Sequence, residues 1–193
     1  ITIRDNATFW GGVPLTAEDV AFTYNYIIDN ELGFYLSLCE PISEIKAIDD
    51  YVVEVTLKYP VNQEVLNGST FYFPPMVPKH IWQDITGEEA LRDIPLEKSH
   101  GSGPYQVVEF ERDEYLRLRV TPQAKEEGAN VDEYIIRAYA DPSVMMEDLI
   151  AGNIDAIYEG LDIKSVKALE GIPEISIANL SPLVMDEIVF NCW

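Results

Sequence analysis

The order of helix-like and strand-like hydrophobic patterns is the sequence feature that most restricts the fold of this chain. A helix is predicted from Thr16, a capping residue type, to just before Gly33. Its apolar stripe at helical spacing consists of Val20, Tyr24, Ile27 and Ile28. Residues 45–48 and 51–57 are then predicted to form two strands around a turn with two aspartates. The second of them alternates apolar and polar side chains, as half-buried strands do. The first half of the chain therefore mixes helix and strand.

The middle of the chain predicts an irregular segment and then a hairpin. Residues 71–82 are rich in proline and aromatic side chains, which predicts an ordered, extended path on the surface. A short helix is predicted after Thr86, with Glu89 completing its capping box. Residues 105–111 and 115–120 have the pattern of two strands joined by a turn.

From residue 131 the pattern becomes strand, helix, strand. Residues 131–139 and 154–158 are the predicted strands, and the helix between them begins after Asp141 and ends at Gly152. The predicted buried side of that helix carries Met145, Met146, Leu149 and Ile150. Such a unit places its strands parallel with a right-handed crossover. A further helix from Asp162 to Gly171 and strands at 175–178 and 188–190 complete a mixed α/β fold.

The composition is acidic and otherwise ordinary for a globular domain. The 193 residues include 34 acidic and 13 basic side chains, for a net charge of −21, and 47% of them are hydrophobic. This charge repels phosphate backbones and anionic lipid head groups, so neither nucleic acid nor a membrane surface is an expected partner. No apolar run approaches the ~20 residues of a membrane-spanning helix.

Residue types that catalyse reactions or hold metals are sparse. The two histidines, His80 and His100, have no partner at metal-ligand spacing, and no catalytic signature sequence is present. The glycines of residues 101–103 precede a proline and a strand, whereas a phosphate loop opens a helix. We predict no catalytic residue, no metal ligand and no cofactor, although a hydrolase with a carboxylate pair stays open as an alternative.

The two cysteines, Cys39 and Cys192, leave two alternatives open. They are far apart in the sequence, and neither belongs to a CxxC motif. Two buried, unreactive thiols and a single disulfide are both compatible with this spacing.

Aromatic side chains are the one positive feature of the composition. The chain has 11 tyrosines, 7 phenylalanines and 3 tryptophans, and core packing accounts for most of them. Trp10, and Phe34 with Tyr35 in the predicted loop after the first helix, join no apolar stripe. They are candidates for lining a ligand cleft, and packing of loops against the core is the alternative.

Seven segments, taken in order, resemble one protein family. They are residues 10–24, 48–58, 77–82, 101–105, 141–143, 149–155 and 186–192. The first, WGGVPLTAEDVAFTY, resembles the signature stretch of the family 5 extracellular solute-binding proteins, which are the peptide-, nickel- and oligosaccharide-binding receptors of ABC importers. One departure is that Trp10, Gly11 and Gly12 stand where the family usually has His-Asp-Gly or Ser-Asp-Gly.

The resemblance implies a periplasmic-binding-protein-like type II fold, of which this chain is an internal fragment of lobe I. Residues 1–13 would form the first strand region of that lobe, and residues 14–100 an inserted α+β subdomain. Residues 101–193 would form part of the sheet core, ending at the crossing to a second lobe. Both ends of the chain look like cuts through a longer protein.

The resemblance also implies a function without catalysis. The protein would capture a peptide or similar small solute in a cleft between two lobes and deliver it to ABC permease subunits. Tyr35, Asn191 and Trp193 are the expected ligand-binding side chains; backbone capping by Asn191 and hinge packing by Trp193 are their alternatives. An extracellular or periplasmic location is implied, with membrane association only through a lipid anchor outside this fragment. A sensor or chaperone variant of the same fold is a further alternative.

Overall fold

The computed structural model describes residues 1–92, 95–158 and 161–178. Its strands are Ile42–Asp49 (β1), Val52–Leu57 (β2), Tyr105–Glu111 (β3), Tyr115–Val120 (β4) and Glu133–Arg137 (β5). Its α-helices are Ala17–Asp29 (α1), Gly33–Leu38 (α2), Gln63–Val65 (α3), Lys79–Trp82 (α4), Gly87–Ala90 (α5), Pro122–Glu126 (α6), Pro142–Ala151 (α7) and Ile163–Leu169 (α8). A π-helical turn spans Leu66–Thr70, and a 3₁₀ turn spans Leu96–Lys98. The chain divides into two compact units, Ile1–Arg137 and Ala138–Trp193.

Helix α1 begins as the sequence predicts, at a capping box. The Asp19 carboxylate accepts hydrogen bonds from the Thr16 amide at 3.0 Å and the Thr16 hydroxyl at 2.9 Å. Its other oxygen accepts the Lys79 amide at 2.9 Å, so one buried side chain joins the starts of α1 and α4. Burial of an acid at this position is tolerated because all of these donors compensate its lost hydration.

The core of the first unit lies between α1 and the antiparallel pair β1–β2. Its buried members are Ala17, Tyr24, Ile27, Cys39, Ile42, Ile45 and Val53. Val20 and Ile28 are partly buried against this cluster, which confirms the predicted stripe of α1. The β1–β2 hairpin also confirms the predicted strand pair, with β1 starting three residues earlier than predicted.

The Asp19 cap yields a stability prediction. Asp19→Ala is expected to lower the free energy of unfolding by about 1–2 kcal/mol, because it removes acceptors from the Thr16 and Lys79 amides. Glu18→Ala is the matched control: it removes an exposed acid of the same turn, whose ion pair with Lys79 contributes about 0.5 kcal/mol. Urea unfolding followed by circular dichroism measures both, and equal losses would contradict the assignment.

The buried Cys39 thiol yields a prediction about reactivity. Burial raises its pKa from 9.0 to about 11, so the thiol stays protonated at pH 8. In a Cys192→Ser variant, Cys39 is expected to react with a disulfide reagent about 100-fold more slowly in the native protein than in concentrated denaturant. Comparable rates under the two conditions would show that the site is open to solvent.

Strands β3, β4 and β5 form a separate antiparallel sheet in that order. The predicted hairpin is confirmed, with Asp113 in its turn at a φ of 61°. Phe110, Leu116 and Ile136 lie opposite one another in the register and therefore share one face of the sheet. Phe110 and Ile136 are each 55% exposed, so this apolar face is only about half covered within the described residues.

The second unit contains α7 and α8, each capped as predicted. Asp141 accepts the Ser143 amide at 2.8 Å, and Asp162 accepts the Ser165 amide at 2.7 Å. Gly152 ends α7 in the left-handed region, at a φ of 75°. The predicted inward side of α7 is wrong at Ile150, which is 54% exposed. No helix in the described parts of the chain is long and apolar enough to cross a bilayer.

Several predicted strands are wrong. Residues 154–158 and 175–178 form no strand, and β5 is shorter than predicted and pairs antiparallel with β4. The predicted parallel pair is therefore absent from the described residues. A short apolar segment becomes a strand only where a neighbouring strand takes its hydrogen bonds, and the local sequence does not identify that neighbour. The strand predicted at 188–190 lies outside the described residues.

Two segments predicted as irregular contain helix instead. Phe34 and Tyr35 lie in α2, which is closed by bonds such as that from the Cys39 amide to the Tyr35 carbonyl at 3.2 Å. The last four residues of the predicted extended path, 79–82, form α4, because Pro78 only precedes the helix and leaves its amides free to bond. At the start of the chain, the predicted strand is reduced to one bridge, between Thr2 and Val52.

Candidate functional site

A cavity of about 920 Å³ lies within the first unit. Its walls come from residues 1–15, from the start of α1, and from positions near residues 71–76, 102–106 and 121–127. These segments are far apart in sequence, so the cavity exists only after the fold has formed. Its volume is in the range of pockets that hold small molecules or short peptide segments.

The cavity has an apolar floor and a polar rim. Phe9, Leu15 and Tyr24 are each at most 5% exposed and form the floor, beside Phe71 and Met76. The polar side chains in the lining are those of Arg4, Asn6, Gln106, Gln123 and Glu127. This arrangement suits an elongated group with apolar side chains, because the rim can bond polar atoms while the floor takes the apolar ones.

Trp10 contacts a segment that is far from it in the sequence, residues 101–103. Its amide donates to the Gly101 carbonyl at 2.8 Å, and its indole Nε1 donates to the Gly103 carbonyl at 3.0 Å. A Cβ on Gly101 would lie 2.9 Å from Cζ2 of the indole ring, which is closer than real contacts allow. Gly101 is therefore needed for space, and Trp10 and Gly103 line the cavity. We call the contact of Trp10 with residues 101–103 the Trp10 clamp.

The glycines after Trp10 form a tight turn. Gly11 and Gly12 have φ values of 89° and 82°, in the left-handed region that favours glycine. The Phe9 amide donates to the Val13 carbonyl at 2.7 Å across this turn. An aspartate in place of Gly11, as in the pattern of the resembling family, would hold this conformation less easily.

Of the predicted ligand-binding residues, only Tyr35 lies in the described part of the chain. It is partly buried against the core cluster, with its ring centroid 5.8 Å from that of Phe34, and it does not line the cavity. Asn191 and Trp193 lie outside the described residues. Trp10, which the aromatic count marked as a cleft candidate, does line the cavity. The buried floor residues Phe9 and Leu15 were missed, and their apolar character next to the glycine turn was the available signal.

The electrostatics of the described residues do not single out a catalytic carboxylate. Glu89 and Asp162 have pKa values below the usual range, because they accept hydrogen bonds from Thr86 and Ser165 at helix starts. A general acid needs the opposite shift. Within the described residues, no three His, Cys, Asp or Glu side chains form a group that could hold a metal ion.

Comparison with known sequences gives one family and several relatives. The family described as "bacterial extracellular solute-binding proteins, family 5 middle" matches residues 1–192 of this chain. The oligopeptide-binding protein AppA of Bacillus subtilis is 28% identical over 163 residues, which cover 80% of this chain and 28% of AppA. A Brucella ovis protein named as an ABC transporter peptide-binding protein is 23% identical over 96% of this chain and 35% of its own length. The chain thus spans about a third of the relatives that it matches.

Solved structures agree with the sequence relatives. AppA of Bacillus subtilis, solved in complex with a nonapeptide, has a TM-score of 0.71 and 25% identity, covering 79% of this chain and 30% of AppA. NikZ of Campylobacter jejuni, in complex with Ni(L-His), has a TM-score of 0.75 at 22% identity over 90% of this chain and 34% of NikZ, which shows a shared fold. The mixed α/β fold and the match over residues 1–192 show that the chain belongs to the bacterial extracellular solute-binding proteins, family 5.

Proposed function

We propose that the protein is the solute-binding component of an ABC importer and that it captures a peptide or a similar small solute. The observation that carries this proposal is the agreement of two comparisons on one relative. AppA of Bacillus subtilis, an oligopeptide-binding protein, is similar to this chain both in sequence and in structure over about four fifths of the chain. Helix capping lowers the pKa values of Glu89 and Asp162, and neither shift favours a hydrolase.

The proposal extends to partners and place. Solute would bind between two lobes that close around it, and the closed form would dock on ABC permease subunits. The family description supports an extracellular or periplasmic location. A lipid anchor outside residues 1–193 would be the only membrane attachment, consistent with the repulsion between a charge of −21 and anionic lipids.

The proposed site is only half contained in this chain. Residues 1–13, 14–100 and 101–193 would serve as first strand region, inserted subdomain and sheet core of one lobe. Because the chain spans about a third of its relatives, the opposing lobe would be supplied by other residues, and tight binding by residues 1–193 alone is not expected.

The function is tested with the complete gene product and three probes: tri-alanine, maltotriose and a nickel–histidine chelate. We expect tri-alanine to raise the Tm of the protein, because a ligand that binds only the folded state stabilises it. Deletion of the gene is expected to abolish uptake of the same peptide. A stabilising effect of the sugar or the chelate alone would change the solute class, and no response to any probe with unchanged uptake would overturn the proposal.

The proposed ligand-binding side chains give a separate prediction. In the complete protein, Asn191→Ala and Trp193→Ala are each expected to weaken tri-alanine binding about 10-fold or more, because each removes a side chain from the site. Tyr35→Phe is expected to have a smaller effect, since Tyr35 packs against the core. Titration calorimetry gives the affinities, and Phe34→Ala, at a residue 64% exposed on the same helix, is the control. Unchanged affinity in both the Asn191 and the Trp193 variants would remove them from the site.

A further inference from the structure

The exposed turn at residues 67–69 carries an Asn-Gly-Ser triplet. Asn-x-Ser and Asn-x-Thr triplets, with any residue but proline in the middle, are the acceptor sequence for N-linked glycosylation of exported proteins. Asn67 is exposed, and its side chain makes no hydrogen bond among the described residues. A Cβ on Gly68 would meet nothing within 4 Å, so the space beside the triplet is open.

The chain has two other triplets of this kind, at residues 6–8 and 179–181. In the first of them, the Thr8 hydroxyl donates to the Gln123 side chain at 3.2 Å, a contact between positions 115 apart. Residues 179–181 lie outside the described residues. The Ser69 hydroxyl, in contrast, donates to the Val65 carbonyl of the preceding turn at 2.6 Å, so the fold engages the triplet at 67–69 only locally.

A patch of exposed aromatic rings adjoins this triplet. Tyr72 is 74% exposed and Phe73 is 50% exposed, and the Phe73 ring lies edge-on to the rings of Tyr72 and Phe34, with centroids 5.2 and 6.1 Å apart. The Phe73 amide donates to the Ser69 carbonyl at 3.4 Å, which places the patch one helical turn from the triplet. Contiguous exposed apolar side chains mark a surface that another group covers, and sugar rings have C–H faces that pack on aromatic rings.

We propose that Asn67 is an N-glycosylation site and that the sugars attached to it cover the rings of Phe34, Tyr72 and Phe73. The donor is a lipid-linked oligosaccharide phosphate. The Asn67 amide nitrogen bonds to the anomeric carbon of the sugar, the bond from that carbon to the phosphate oxygen breaks, and the amide proton leaves with the lipid phosphate. The triplet and the exposed rings are independent observations, and one attached glycan accounts for both. This inference rests on the extracellular or periplasmic location in the proposed function and not on the identity of the solute.

Mass spectrometry of the complete protein, purified from its own source, tests the site with an internal control. Trypsin releases residues 59–79, which contain Asn67 and also Asn62, an exposed asparagine without a serine or threonine two positions later. We expect this peptide to carry sugar on Asn67 and none on Asn62. For protein recovered outside the cytoplasm, an unmodified peptide, or a mass change that corresponds only to hydrolysis of the Asn67 amide to aspartate, would overturn the inference and leave the proposed function standing. Unmodified protein found only in the cytoplasm would overturn both.

Variants of the complete protein separate the sequence requirement from the cover of the rings. Ser69→Ala keeps Asn67 but removes the hydroxyl of the triplet, so we expect it to abolish the modification, whereas Ser69→Thr should retain it. Asn67→Gln is expected to bind about twofold more of the apolar dye ANS than the glycosylated protein, because its aromatic rings are uncovered. Adding Tyr72→Ser and Phe73→Ser to Asn67→Gln should return dye binding to the level of the glycosylated protein. Sugar retained in Ser69→Ala, or equal dye binding with and without the glycan, would contradict the proposal.

Discussion

Replacing Gly101 with valine is expected to lower the free energy of unfolding by about 2–3 kcal/mol. The first added carbon would lie 2.9 Å from the Trp10 ring, and the ring cannot retreat without giving up its hydrogen bond to the Gly103 carbonyl. The variant must therefore either distort the loop at residues 101–104 or release the Trp10 clamp. Denaturant unfolding followed by tryptophan fluorescence measures the loss and reports on the environment of the indole.

Gly103→Val is the matched control for this experiment. It makes the same chemical change two residues away, where an added Cβ would meet nothing within 4 Å and the backbone is not in the left-handed region. We expect a loss below about 0.5 kcal/mol. The double variant Trp10→Ala, Gly101→Val should lose less free energy of unfolding than the sum of the losses in the two single variants, because both changes act on one contact. Full additivity, or equal losses at the two glycines, would show that the contact with Trp10 is not the reason why position 101 requires glycine.

Replacing Tyr24 with alanine is expected to cost about 3–5 kcal/mol, the largest effect of any single change proposed for this chain. Tyr24 is 1% exposed at the centre of the core, and its ring lies edge-on to Phe71 with centroids 6.0 Å apart. Burial also holds the pKa of its hydroxyl well above the usual range, so the group stays a neutral donor. Thermal and urea unfolding give the loss directly.

Tyr24→Phe separates the ring from the hydroxyl. The hydroxyl donates to the Thr70 carbonyl at 2.8 Å, and its removal leaves that buried acceptor without a partner. We expect a loss of about 1–2 kcal/mol, well below that of alanine. If phenylalanine costs as much as alanine, the hydrogen bond rather than packing dominates at this position.

Local features of the fold followed from the sequence. The Thr16 cap, the stripe of α1 and the hairpin of β3 and β4 depend on residues within one turn or one loop of each other, so their patterns carry the needed information. Residues 154–158 and 175–178 show the limit of this reasoning. Both segments are largely apolar, but a strand also requires a partner whose position depends on the rest of the fold.

The candidate site was predictable only in its parts. Trp10 stood out because it joined no stripe, and residues 101–103 because glycine and proline mark a change of direction. Their contact spans more than 90 positions, and no periodicity reports such a distance. The structure supplies the reason for glycine at this position: the Gly101 backbone is not left-handed, and an added Cβ would lie too close to the Trp10 indole.

The half-exposed apolar face of the β3–β4–β5 sheet is expected to make self-association of residues 1–193 depend on ionic strength. In dilute buffer, two molecules that each carry a charge of −21 repel one another before Phe110 and Ile136 on one can reach the same residues on the other. At an ionic strength of 1 M the screening length falls to about 3 Å, and the repulsion no longer acts at the separation where apolar faces meet. We therefore expect residues 1–193 to stay monomeric at low ionic strength and to self-associate through this face at 1 M salt.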